Sequence, residues 1–274
     1  MVDVEIYSLY KINMTLAKIN CVNLRDDINK IISQLGGWDK FVQPGDRVFL
    51  KPNYNTADPF PASSNLDFVQ TIVELVYEAG AREVIVGDSS TIYKRTRNVF
   101  EDRGVFSLEK LARPAKVMVL EEHTWIKKRI PDGKFLKSVT IPEILGQVDK
   151  LILLPCLKTH FIAKYTGALK LSIGFMKPTE RYIFHIKNVE EKIAELNTII
   201  KPDLVIMDAR KCFITEGPTK GEVREPNLLL ASDSRIEIDT EGVNIIKSFS
   251  GNTLADIDSE NLSQIKLAKI LGIK

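Results

Sequence analysis

Short apolar runs bounded by turn residues alternate along this chain with longer stretches whose apolar positions recur every three to four residues, a pattern of strands and amphipathic helices. Val2 to Tyr10 alternates apolar and polar residues and predicts a strand. Asn23 is placed to cap a helix over Leu24–Leu35, whose apolar positions are Leu24, Ile28, Ile31, Ile32 and Leu35, and Gly36-Gly37 stops it. After a Pro44-Gly45-Asp46 turn, Arg47 to Leu50 reads as a buried strand ending at Lys51-Pro52-Asn53. A polar, proline-bearing loop from Asn53 to Asn65 leads into a helix over Leu66–Ala79, stopped by Gly80. Glu83 to Val86 is the next short strand, ending in Gly87-Asp88-Ser89-Ser90. Repeated βα units predict parallel strands whose C-terminal ends share one edge of a sheet. Lys51, Asn53, Asp88 and Ser89 then sit together at the edge where open α/β sheets bind ligands.

The second half continues the alternation. Short helices are predicted over Arg95–Asp102 and Ser107–Ala112, a strand over Lys116–Leu120, and an exposed hairpin over 121–141 with its turn at Pro131-Asp132-Gly133. A short helix over Pro142–Val148 precedes a strand over Lys150–Leu154. Further on come an amphipathic helix (Val189–Ile200), a strand over Asp203–Met207 ending at Asp208, a glycine-containing loop through Glu216, and a strand over Leu228–Ala231. Helices near Glu241–Ser248 and Leu262–Leu271 close the chain. The expected fold class is α/β with a mostly parallel sheet of βα units. It is organised either as one unit over residues 1–274 or as two α/β subdomains that divide near residue 142 and face a cleft.

Charge singles out one stretch. The whole chain carries 38 Lys+Arg against 36 Asp+Glu, a balance that argues against wholesale polyanion binding. Between Lys158 and Lys187, however, Lys158, Lys164, Lys170, Lys177, Arg181 and Lys187 face a single acid, Glu180. Two of the three histidines, His160 and His185, fall in the same stretch. His160 follows Lys158-Thr159 in what reads as a loop beyond a strand, where a near-neutral imidazole suits acid–base chemistry or metal ligation. Thr166 can cap a short helix ending at Gly174, although the alternation of Leu169, Leu171, Ile173 and Phe175 fits a strand equally. Either way Lys170 interrupts an apolar run, so it must reach water, pair with an acid or face a ligand. Taken alone, His185 in its aromatic run (Tyr182, Ile183, Phe184) reads as core packing. Asp208 and Glu216 could supply carboxylates to a metal or an acid–base pair.

Other patterns narrow the function by exclusion. Cys21, Cys156 and Cys212 are odd in number and far apart, which fits buried thiols in a reducing compartment and neither a disulfide framework nor an iron–sulfur ligand run. The first residues lack a signal-peptide pattern and no apolar run approaches a bilayer span, so a cytoplasmic protein with no membrane contact is expected. Phosphate-loop, dinucleotide, serine-hydrolase, zincin and kinase motifs are absent.

Lys51-Pro52-Asn53, Gly87-Asp88-Ser89, Leu157-Lys158-Thr159-His160, Thr166-Gly167-Ala168-Leu169-Lys170, the Asp208 strand end and Glu216-Gly217-Pro218 together resemble domain of unknown function family 362. The resemblance runs from about Val48 to Val243 and implies an α/β fold without a settled activity. Some members of that family carry ferredoxin-type modules; this chain has no cysteine set for one, so an electron-transfer role would need a separate ferredoxin-type partner. More distantly, the order and spacing of His160, Lys170 and His185 resemble the nickel-pincer lactate racemases, in which a cofactor-bearing lysine lies between an acid–base histidine and a metal-ligating one. Those racemases have a second acid–base histidine after an early strand, where this chain has Gly87-Asp88-Ser89-Ser90, so two-base racemisation is not what the resemblance implies.

The leading expectation is a protein binding a small anionic ligand or cofactor, a carboxylate or phosphate, as a metal-assisted enzyme or a plain binder. His160 and Lys170 would act as catalytic groups. Lys51, Asn53, Asp88, Ser89, Lys158, Thr159, Thr166 and Glu216 would bind the ligand, and His185 with Asp208 would hold a divalent metal. One alternative is single-stranded nucleic-acid binding through Phe161, Tyr165, Phe175, Tyr182 and Phe184, which the absence of basic excess elsewhere disfavours. The other is a non-catalytic module docking on a redox partner.

Overall fold

The computed structural model describes residues 15–274, so the strand expected over Val2 to Tyr10 lies outside the described residues. The first half is built from β1 (Leu16–Asn20), α1 (Leu24–Gln34), β2 (Arg47–Lys51), α2 (Leu66–Glu78), β3 (Glu83–Asp88), α3 (Thr96–Asp102) and β4 (Lys116–Val119). A hairpin of β5 (Trp125–Arg129) and β6 (Ser138–Pro142) follows, then β7 (Lys150–Leu153), β8 (Cys156–His160) and β9 (Lys164–Thr166). Three helices, α4 (Ala168–Leu171), α5 (Pro178–Phe184) and α6 (Val189–Leu196), precede β10 (Leu204–Phe213), β11 (Val223–Arg224) and β12 (Leu228–Ser232). Helices α7 (Arg235–Lys247) and α8 (Ser263–Ile270) complete the fold.

The main sheet has the order β1-β12-β10-β7-β2-β3-β4. β10, β7, β2, β3 and β4 run parallel, and β12 alone is reversed between β10 and β1. The chain on either side of residue 142 shares this sheet, because β7 pairs with β2 from Lys150↔Val48 to Leu153↔Lys51. Successive strand residues point to opposite faces, so Val48 and Leu50 pack with α1 and α2 residues such as Ile31 and Ile72, while Phe49 packs with Phe175 and Leu153 on the other face. Both faces are covered, which is why these strands read as uninterrupted apolar runs.

Local signals set the boundaries. The Asn23 and Asn65 side chains accept from the amides of Asp26 and Phe68, capping α1 and α2 where the sequence predicts. Pro155 separates β7 from β8, and the ten-residue β10 bridges the break by pairing first with β7 and then with β8. Two expectations change here. β10 continues past Asp208 to Phe213, so Asp208 stands inside a strand rather than at its end. His160 closes strand β8, which β9 pairs through His160↔Lys164, and does not lie in a loop.

Along the sheet, β3 and β4 lie on one side of β2, while β7 and β10 lie on the other. The junction between β2 and β7 is the switch point at which open α/β sheets form a crevice beyond their carboxyl ends. The strand tips carrying Lys51 and Asp88 open onto it.

Candidate functional site

A cavity of about 470 Å³ lies at this edge. Lys51, Asn53, Asp88 and Ser89 reach it from the ends of β2 and β3, Lys158 and His160 from β8, and Thr166 and Lys170 from β9 and α4. Gly174, Arg181 and His185 close it from the α4–α5 side. Three expected site residues lie elsewhere. Thr159 Oγ1 donates to the Thr215 carbonyl at 2.8 Å, and Glu216 faces Lys220 at 3.8 Å on the surface. Asp208 is buried in β10 and bound by Arg210 at 2.9 and 2.6 Å.

The floor is an ion pair. Lys51 Nζ stands 2.6 Å from Asp88 Oδ1, both side chains essentially inaccessible to solvent. Asp88 also accepts from the amides of Tyr54 (2.7 Å) and Ser89 (2.6 Å), so this carboxylate already holds three donors. A Cβ on Gly174 would lie 2.6 Å from Lys51 Nζ and 2.8 Å from Asp88 Oδ1, so glycine is what lets the segment after α4 close over the pair.

Lys158 and Lys170 have no such partner among the described residues. Among these, Lys158 Nζ donates only to the carbonyls of Pro61 and Ala62. Lys170 makes no hydrogen bond or ion pair with any described residue, and its charged neighbours are Lys158 and Arg181. Burial pulls the Lys158 ammonium down to about 8. Burial, reinforced by Lys158 and Arg181, pulls Lys170 down to about 7. Arg181 donates to the carbonyls of Ser89, Ser90, Gly174 and Met176 and to Ser89 Oγ, all neutral acceptors, and burial lowers its guanidinium to about 10. It thereby ties the loop after β3 to the α4–α5 segment.

The two histidines are held in opposite tautomers. His160 Nδ1 accepts from the amides of Ile162 (3.0 Å) and Ala163 (3.1 Å), which leaves the ring proton on Nε2. Burial, then the charges of Lys170, His185 and Lys158, lower its basicity to about 2, so it is a neutral donor. His185, at the C-terminal end of α5, has Nδ1 2.7 Å from the Arg181 carbonyl. A carbonyl only accepts, so Nδ1 carries the proton and Nε2 keeps a lone pair. Burial lowers its pKa as well. The core-packing role read for His185 from its neighbours gives way to a place on the cavity wall.

Further polar groups lack partners among the described residues. Thr56 Oγ1 and Thr166 Oγ1 are buried without a hydrogen bond although both residues line the cavity. The helix carrying Lys170 is anchored from a distance: Asp239, on α7, accepts from the amides of Ala168 (2.6 Å) and Leu169 (2.9 Å). The cap expected from Thr166 is therefore made by Asp239. A Cβ on Gly167 would lie 2.1 Å from Asp239 Oδ1, so the glycine of Thr166-Gly167-Ala168 makes room for that carboxylate. Sequence reasoning missed Asp239 as an anchor and counted Arg181 only as charge.

The two expected metal ligands, His185 and Asp208, do not line one cavity. Among the described residues no three His, Cys, Asp or Glu side chains gather, and Asp208 is outside the cavity that His185 lines. Of the five aromatics considered for base stacking, Tyr165, Phe175 and Phe184 are core residues, leaving Phe161 and Tyr182 exposed. No helix among the described residues is long and apolar enough to cross a membrane.

Residues 48–244 match the family described as Domain of unknown function (DUF362), and the chain belongs to that family. The Thylakoid-associated protein sll1697 of Synechocystis sp. (strain ATCC 27184 / PCC 6803 / Kazusa) is 27% identical over 226 residues, covering 79% of this chain and 68% of that protein. Among solved structures, the lactate racemase apoprotein from Thermoanaerobacterium thermosaccharolyticum aligns with a TM-score of 0.49 at 10% identity, covering 83% of this chain. The alignment covers 52% of that protein, so this chain spans about half its length.

Proposed function

We propose that this DUF362 family member binds a small carboxylate or phosphate anion in the cavity beyond β2, β3 and β8. The observation that carries the reading is a surplus of buried positive charge. Lys51, Lys158, Lys170 and Arg181 line the cavity against one carboxylate, Asp88, which Lys51 and two amides already occupy. Buried cations without counter-ions are costly, and a bound anion is the economical way to satisfy them. The neutral groups agree in polarity: Thr56, Thr166 and the Nε2–H of His160 are all able to donate.

An enzymatic role is supported by the remaining chemistry. The Nε2 lone pair of His185 can take a proton and the ammonium of Lys170, poised near neutrality, can return one. The reading therefore needs no metal held by this chain's side chains. We place the protein in the cytosol, supported by three cysteines that are all free.

Calorimetric titration of phosphate and of acetate into the full chain tests the binding. The wild type should bind at least one of them. Lys158→Met should lose about tenfold or more in affinity, as expected when a buried charge-assisted contact is removed. Thr166→Val, which breaks no existing hydrogen bond, should lose less. A wild type that binds neither anion removes the proposal.

A further inference from the structure

The cavity is larger than its charged floor requires. A volume of about 470 Å³ falls in the range that encloses organic ligands, whereas phosphate or acetate would occupy only the region between Lys158, Lys170 and His160. The outer part of the same cavity changes character, being lined by Ile92, Tyr93, Phe161, Ile162, Tyr182 and Ile186. These side chains come from three separate segments, the loop after β3, the β8–β9 turn and the α5 region. They are unusually open: Tyr93 is 79% exposed, Phe161 73%, Tyr182 63% and Ile186 61%. Scattered exposed apolar residues need no explanation, but six that converge on one polar cavity form a patch of the kind that marks binding.

The floor and the rim are physically continuous. The Phe161 ring stacks on His160 with centroids 5.1 Å apart and planes within 8°. The ring whose Nε2–H an anion would accept from is thus in direct contact with an aromatic residue of the rim.

We infer that the ligand is an anion carrying an apolar body, with an aromatic ring as the best fit: a carboxylate or phosphate held at the floor, and a ring held among Tyr93, Phe161 and Tyr182. This rests on the anion-binding reading and specifies its substrate class. Aromatic pairs stabilise beyond their burial alone, and burial of the ring adds to that.

The test compares inorganic phosphate with methyl phosphate and phenyl phosphate, and acetate with benzoate, by calorimetry on the full chain. Phenyl phosphate should bind about tenfold or more tightly than phosphate, with methyl phosphate close to phosphate; benzoate should exceed acetate likewise. In Tyr93→Ala and Tyr182→Ala, both substitutions at exposed positions that the fold tolerates, the phenyl-to-methyl affinity ratio should fall toward one. Equal affinities across the wild-type series overturn the inference and leave the anion site standing. Binding of none of the five ligands overturns both. Light scattering on the same samples adds a further outcome: a dimer that Tyr93→Ala converts to monomer would assign the rim to a second copy of the chain and overturn the inference.

Discussion

Replacing Lys170 with methionine should strengthen the empty fold while weakening the site. The Lys170 ammonium has like-charged neighbours and no carboxylate partner among the described residues, and burial with those neighbours brings it from 10.5 to about 7. At 1.36 kcal/mol per tenfold change in proton affinity, holding that charge in the fold costs up to about 5 kcal/mol. Part of the side chain meets solvent in the cavity, so about 2 kcal/mol is the share a substitution should recover. Between the two pKa values the unfolded chain binds more protons than the folded one. The penalty is therefore absent above 10.5, grows as pH falls, and is complete below about 7. Methionine keeps much of the aliphatic stem's packing and removes the charge. Urea unfolding followed by far-ultraviolet circular dichroism should show Lys170→Met about 2 kcal/mol more stable than wild type at about pH 6, with the gap shrinking as pH rises toward 10.5. Saturating phosphate should reverse the ranking. Linkage gives the wild type about 2.7 kcal/mol at a hundredfold excess over Kd, and the variant should lose most of that gain. A variant less stable than wild type at low pH, or a gap that ignores pH, would refute the reasoning.

Three other outcomes follow from the same geometry. Asp88→Asn leaves the buried Lys51 ammonium unpaired and should cost about 3–5 kcal/mol in urea unfolding, most of it regained when Lys51→Met is added. Anion binding at about pH 8 should take up protons, because Lys158 (about 8) and Lys170 (about 7) are partly neutral in the empty cavity and the ligand's charge raises both; titrations in buffers of different ionisation enthalpy would expose proton release or no exchange as the contrary result. Gly174→Ala drives a methyl to 2.6 Å from the end of Lys51 and should lower thermal stability by about 1–3 kcal/mol. Gly146→Ala, with nothing within 4 Å of its Cβ, should stay within about 0.5 kcal/mol and serves as the control.

The parallel half of the sheet was legible because a strand buried on both faces must be apolar at every position, and Val48–Leu50 and Val84–Val86 are. Once those runs are recognised, chain direction alone puts Lys51 and Asp88 at a shared edge. The opposite holds for β8. Lys158, Thr159 and His160 look like loop residues, yet all three are buried in a strand because the far half of β10 and the short β9 pair with it. β10 hid its own length in a similar way. Asp208 reads as the end of its strand, but Asp208 and Arg210 lie two apart on one face and bond each other, so the polar stretch after Met207 can stay in the sheet. Asp239 and Arg181 were not legible as anchors, since their partners Ala168 and Ser89 lie 71 and 92 residues away in sequence. Nothing near either residue signals the contact.

The wiring of His160 argues against a metal at its own ring more firmly than any count of ligands. A metal at Nε2 of His160 would require the ring proton to move to Nδ1, where the amides of Ile162 and Ala163 already donate. Leaving the buried Ala163 amide unsatisfied costs about 1–3 kcal/mol, and the displaced proton would face donors instead of an acceptor. His185 has the opposite wiring, its Nδ1–H satisfied by the Arg181 carbonyl and its Nε2 free. That carbonyl belongs to the residue whose guanidinium clamps the Ser89 and Ser90 carbonyls, so the position of the His185 ring is tied to the loop beside Asp88. Backbone hydrogen bonds thus make one histidine a donor and the other an acceptor before any ligand arrives, a polarity suited to an anion that accepts from one ring and yields a proton to the other.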